Sequence, residues 1–157
     1  MSDRPDPTRV VADVDVLVAD LFVDGDARAA LDLVRSHSWL TLIVTDRLLD
    51  ETAAVITSLA DDRLATDWRA TTAADATVVE PTRTGHPALE AAAAGQASTI
   101  LSHDERFQRA ATGAAIRPHL ATSVKSPGAF RHLVRPASLY DVVADGSYPG
   151  PDRDPRA

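Results

Sequence analysis

Asp13 and Asp15 follow an unbroken apolar run, Val10-Val11-Ala12, and lead into Val16-Leu17-Val18. A carboxylate in that position is costly to desolvate unless something pairs with it. Asp13 is therefore either a rim acid that escapes burial or a ligand for a cation. Asp104 repeats the arrangement behind Thr99-Ile100-Leu101, in the order Ser102-His103-Asp104. Glu51 lies on a helical stretch, at the border of its apolar stripe and one turn from Leu48 and Val55, whereas Asp50 falls on the polar face. Hard carboxylate oxygens suit Mg2+ or Mn2+, which keep waters for catalysis. Such an ion activates water and stabilises charge developing on a scissile phosphate. Each acid also has a plainer reading. Asp104 would serve as a helix cap, Glu51 as a flanking surface residue, and Asp15 as an exposed turn acid.

The elements that must bring these acids together are legible in order. A strand is expected over residues 9–14, then helix to Phe22, stopped near Gly25, and a second helix to about Ser36. Leu40-Thr41-Leu42-Ile43-Val44 is a short buried strand. Residues 46–60 and 61–74 read as helices, with Trp68 in the core. Thr77-Val78-Val79 is a third strand, and residues 82–85 form a turn. Pro87 is favoured at a first helical position, which leaves His86 as the cap. The alanine-rich helix after it ends at Gly95, and its small side chains imply close packing on the sheet. A fourth strand covers residues 99–101, helix follows to about Ala111, and a short fifth strand lies between His119 and Val124. Pro127 and Pro136 introduce short helices. Strands alternating with helices imply an α/β fold, a three-layer α/β/α sandwich around a parallel sheet of about five strands. All strand C-termini then share one edge, so Asp13 and Asp104 face one crevice.

Composition narrows the setting. A chain of 157 residues makes one domain with a real core. Residues 1–8 and 149–157 are expected to be disordered, residues 9–135 to form the domain, and residues 136–148 a C-terminal helical extension. No apolar run approaches a membrane span, and the polar, proline-rich start lacks the order of a signal peptide. No cysteine is present, which excludes disulfides, thiolate catalysis and Cys-based zinc sites. An intracellular, cytoplasmic protein is the expectation. Of the 23 acids, 19 are Asp, and Lys125 is the only Lys among 16 basic residues. Acid excess with almost no Lys resembles proteins of halophiles, which keep high salt in the cytoplasm; there, screening makes the self-repulsion bearable. The net charge of -7 is uneven, because residues 106–140 hold six basic residues and no acid. Arg131 and Arg135 in that segment are candidates for meeting RNA phosphates; the plainer reading scatters these arginines over the surface.

The order of these features resembles the PIN-domain nucleases. That family's first strand ends in Asp, a variable residue, then Asn, Ser or Asp, then Val-Leu; here it is Asp13-Val14-Asp15-Val16-Leu17. A Glu on the helix after strand two matches Glu51. A small-residue helix, a Gly, a strand, and a Ser or Thr two residues before an Asp match residues 89–95, 99–101 and Ser102-His103-Asp104. The resemblance covers residues 10–124. It implies a PIN-like fold and a Mg2+- or Mn2+-dependent endoribonuclease acting on single-stranded or structured RNA, with Asp13, Glu51 and Asp104 as catalytic metal ligands. It also brings in an antitoxin or other protein partner; a homodimer is a separate expectation, and no membrane is expected because no apolar run is long enough.

One position departs from that family. Its third acid opens the helix before strand four, and here that position is His86. Either His86 ligates the metal, which suits Mn2+ better than Mg2+, or Glu90, one turn on, substitutes for it, or the site has lost a ligand and binds metal weakly. Ser102 is an auxiliary that hydrogen-bonds a ligand or a metal-bound water, and Asp15 is a second auxiliary. His103 is a neighbour of the site, whereas His37, His119 and His132 belong to no constellation. Two rivals follow. A catalytically impaired PIN-like module that binds RNA or protein shares the same fold. A haloacid-dehalogenase-type phosphatase would use Asp13 as nucleophile and Asp15 as acid/base, but it needs a later Lys followed by paired acids. Lys125 has only Asp141 and Asp145 after it before the final residues.

Overall fold

Val10, Val11 and Ala12 form the buried end of β1 (Asp6–Ala12), the central strand of the molecule. The computed structural model describes residues 5–82, 84–112 and 122–156. β1 pairs in parallel with β2 (Thr41–Val44) on one side, Val11 opposite Ile43, and with β4 (Ala97–Leu101) on the other, Val11 opposite Ile100. β3 (Thr77–Val78) flanks β2, and β5 (Ser123–Lys125) flanks β4. The sheet is all-parallel, in the order β3-β2-β1-β4-β5. Neighbouring apolar residues on β1 face opposite ways, as strand geometry requires. Val10 and Ala12 join one core and Val11 joins the other, so the unbroken run is buried on both faces.

Helices cover those two faces in a three-layer α/β/α sandwich. α1 (Val14–Phe22), α2 (Asp26–Arg35), α3 (Asp46–Leu59) and α4 (Asp62–Asp75) contribute Leu17, Leu31, Leu49 and Trp68 to the first core. α2 buries Ala27, Ala30, Leu31 and Val34, the i, i+3, i+4, i+7 stripe of an amphipathic helix. α5 (Pro87–Gly95) and α6 (Glu105–Thr112) supply Ala88, Ala91, Ala92 and Phe107 to the second core. α7 (Pro127–Leu133) places Phe130 in the first core, and α8 (Pro136–Val143) buries none of its residues. Because β2 is reached across one face and β4 across the other, the connections part company above β1 and β4. That divergence opens a crevice at the strand C-termini.

Several local expectations shift. β1 ends at Ala12, and Asp13 caps α1 instead of finishing the strand. Its start at Asp6 lies inside the stretch expected to be disordered. The helix terminator also moves. Gly95 is the last residue of α5, and the left-handed conformation belongs to Gln96 (φ 55°). Gly95 is there for closeness, since a Cβ would collide with the Ile43 side chain. Residues 149–156, which belong to the stretch expected to be disordered, run back along the end of α2. Asp152 and Arg153 donate their backbone N–H groups to Ser36, and Asp152 accepts from Ser38. His37, assigned no constellation from sequence, is buried and anchors this return through Tyr148. The strand expected from His119 is described only as Ser123–Lys125; Arg117 and His119 lie outside the described residues.

Candidate functional site

Asp13 sits at the divergence of the connections. Its backbone N–H donates to Leu101 O at 2.9 Å, which extends the β1–β4 ladder by one rung and sets Asp13 beside Ser102. One carboxylate oxygen caps α1 at Val14 N–H. The other accepts from Ser102 Oγ at 3.2 Å. Ser102 is fully buried, and its Oγ also accepts the Asp104 N–H at 3.1 Å. Asp104 caps α6 through one oxygen, which accepts from Arg106 and Phe107 N–H at 2.9 and 3.3 Å. Asp13, Ser102 and Asp104 thus form one hydrogen-bonded unit at the ends of β1 and β4. The cap expected for Asp104 is present, and it leaves the second carboxylate oxygen without a role in the cap.

Asp15 joins this unit from α1 by accepting the His103 N–H at 3.0 Å. Partial burial of its carboxyl, and then the like charge of Asp13, push its pKa up; the His103 bond offsets part of the effect. Asp15 is exposed as a whole residue, so solvent screens part of these effects.

His86 forms the opposite wall. It caps α5, its Nδ1 accepting the Ala88 N–H at 3.1 Å. The ring stacks on Phe107 with centroids 4.1 Å apart. Its Nε2 lies 3.8 Å from Asp13 Oδ2. The loop carrying it is clamped on both sides of Gly85. Buried Glu90 accepts the Gly85 N–H, and Arg47 donates to Gly85 O and to Glu90. Glu90 therefore faces Arg47 and Gly85, which accounts for its burial without a cation.

Glu51 differs from expectation. It is half-exposed, and α3 turns Leu48, Leu49, Thr52 and Ile56 inward instead. Its partner is Arg47 at 3.5 Å, one turn back on the same helix. Asp50 is on the polar face as read, paired with Arg69. Among the described residues, no three His, Asp or Glu side chains converge as a ligand set for a metal ion. Arg131 pairs with Asp26 at 2.7 Å, and Arg135 stands at the N-cap of α8. Arg47, Gly85 and Phe107 were missed from sequence. The i,i+4 spacing of Arg47 and Glu51 was available as a signal, whereas the Phe107 stack depends on how α6 meets α5. A cavity of about 640 Å³ lies elsewhere, between Leu40, Leu42, Trp68 and residues 153–156, and no crevice residue lines it.

The chain belongs to a family of unknown function, DUF7384, whose model matches residues 4–156. No curated protein and no solved structure matches it.

Proposed function

We propose that the crevice at the ends of β1 and β4 hydrolyses RNA phosphodiester bonds with Mg2+ or Mn2+. The observation that carries this reading is the gathering of Asp13, Asp15 and Asp104 around Ser102 and His103, at the edge where parallel sheets bind ligands; there burial, and then the like charge of Asp13, push the Asp15 carboxyl up. A hard cation offsets that repulsion, and Mg2+ binds through as few as one or two carboxylates while keeping waters. The donors fit such an ion in chemistry, with Asp13 as the central ligand and the free oxygen of Asp104 or the carboxylate of Asp15 as the second. Glu51 is available as a further ligand, because its exposed pair with Arg47 is weak. When bound, the ion supplies an activated water and offsets charge on the phosphate. Ser102 holds the Asp13 carboxylate in place and fixes the backbone of Asp104. Arg131, once released from Asp26, and Arg135 would meet the RNA backbone. His86, which stands where the third acid was expected and spends Nδ1 on the cap of α5, favours a second reading, an RNA- or protein-binding module with an impaired site. An antitoxin-like protein partner, a homodimer and a cytoplasmic setting belong to the same proposal. No helix among the described residues is long and apolar enough to cross a membrane.

The test is incubation of the protein with mixed single-stranded RNA at high salt, in Mg2+, in Mn2+ and in chelator. Cleavage that needs metal and disappears in both Asp13→Asn and Asp104→Asn supports the enzyme. Metal-independent RNA binding without cleavage supports the module.

A further inference from the structure

His86 faces Asp13 across the crevice, and which ring nitrogen carries the proton decides what it does there. Ala88 N–H can only donate, so Nδ1 must offer its lone pair. In the neutral ring the hydrogen then sits on Nε2, the nitrogen 3.8 Å from Asp13 Oδ2. A metal ligand needs a free lone pair on the ligating nitrogen, and neither nitrogen has one in this arrangement. Turning Nε2 into a ligand means moving the proton to Nδ1 and losing the cap of α5. The surroundings oppose such a change. Phe107 stacks against the ring, and the Arg47–Glu90 clamp holds the peptide groups on both sides of Gly85. The Nε2–H is also not satisfied by Asp13, since 3.8 Å exceeds hydrogen-bond length. A fixed, partly exposed N–H donor thus points into the crevice with no acceptor at bonding distance on Asp13.

We propose that His86 is a substrate-binding donor, its Nε2–H held by the α5 cap, the Phe107 stack and the Gly85 clamp to bond a non-bridging oxygen of the RNA phosphate, and that carboxylates alone hold the cation. The identity of the anion rests on the ribonuclease reading; the distinction between donor and ligand does not. His86 therefore replaces the expected third acid with a group of opposite hydrogen-bonding sense. It grips the anion that the cation would otherwise have to hold alone.

Two measurements test this. Long-range proton–nitrogen NMR of the histidine rings reads the tautomer of His86 directly. The expected pattern is Nε2-protonated in chelator and in saturating Mg2+ alike; a switch to Nδ1-protonated on adding Mg2+ overturns the proposal. The second uses His86→Asn, because Asn caps helices well but is too short to reach across the crevice. With Ca2+ in place of Mg2+ and the strand checked intact on a gel, this variant should bind a single-stranded RNA oligonucleotide roughly tenfold or more weakly, the scale of a lost charge-assisted hydrogen bond. Its Mg2+-induced rise in melting temperature should equal that of wild type. Unchanged RNA affinity, or a lost Mg2+ response, overturns the donor role. If wild type binds no RNA, the ribonuclease reading fails and the substrate assignment falls with it, while the tautomer still decides between donor and ligand.

Discussion

Burial and the neighbouring Asp13 hold the Asp15 carboxyl above its ordinary range, and the sign of that shift has a consequence for stability. A raised folded pKa means that stability is greatest below the unfolded value and is lost as pH rises through the folded one. In chelator, Asp15→Asn should therefore match wild type in acid and melt higher at neutral pH, because the amide oxygen still accepts from His103 without carrying charge. Thermal melts between pH 3 and pH 7 read this, and a variant that melts lower at neutral pH contradicts it. Position 86 gives the converse experiment. His86→Asp keeps a good capping residue but adds a third negative charge beside Asp13. It should melt lower than wild type in chelator and gain more from Mn2+, with RNA cleavage rising where the other ligands are intact. Equal metal responses would mean that position 86 does not face the cation.

At the scale of elements, α5 shows what local patterns reveal and what they conceal. Pro87 behind a capping His86 announces the helix start, and the run of alanines announces close packing; both are properties of neighbours in sequence. The role of Gly95 depends on Ile43 in another strand, so sequence supplies only the residue type and suggests a terminator. The same division runs through the site. Asp13 and Asp104 were legible because each follows an apolar strand, Asp13 immediately and Asp104 after Ser102 and His103. The two readings of Glu51 stayed open because its border position on α3 does not say which way the helix rolls against the sheet. Gly95→Ala tests the packing argument. In a helix the change alone gains up to about 1 kcal/mol, but the collision with Ile43 should reverse the sign and give a net loss of about 1–3 kcal/mol. Chemical denaturation measures it, and a stabilised variant would show that α5 has room to withdraw.

Over the whole molecule, the two ends of the sheet do different work. At the C-terminal edge, Asp13, Asp15 and Asp104 gather around hydrogen bonds from Ser102 and from backbone N–H groups. The region around the end of α2 gathers ion pairs: Asp20, 3% exposed, accepts two bonds from Arg35 and one from Arg156, and Tyr148 reaches His37. Residues 148–156 hence form part of the fold, and their order was illegible because each contact spans more than a hundred residues of sequence. Asp20→Ala removes the buried acid between Arg35 and Arg156, both of which keep Asp32 within ion-pair range, and should cost about 1.5–3 kcal/mol, the scale of hydrogen bonds to a charged group. Arg156→Ala leaves Asp20 paired with Arg35 and should cost no more than about 1 kcal/mol. Similar losses in both variants would show that the returning segment, not Arg35, keeps Asp20 satisfied. Asp152 adds an acid-side dependence. The Ser38 hydroxyl and backbone N–H hold its carboxyl below the ordinary range, so its contribution is present above the unfolded pKa and is lost as pH falls through the folded one.

The gathering of Asp13, Asp15 and Asp104 at one edge of the sheet is what the proposed function rests on, and Mn2+ titration by calorimetry and thermal melting probes it most directly. Wild type should show saturable binding and a rise in melting temperature that grows with free Mn2+ by mass action. Asp13→Asn, which keeps the α1 cap but loses the charge, should show little of either. An equal Mn2+ response in wild type and Asp13→Asn would contradict the account, because the cation would then be held somewhere other than the crevice between β1 and β4.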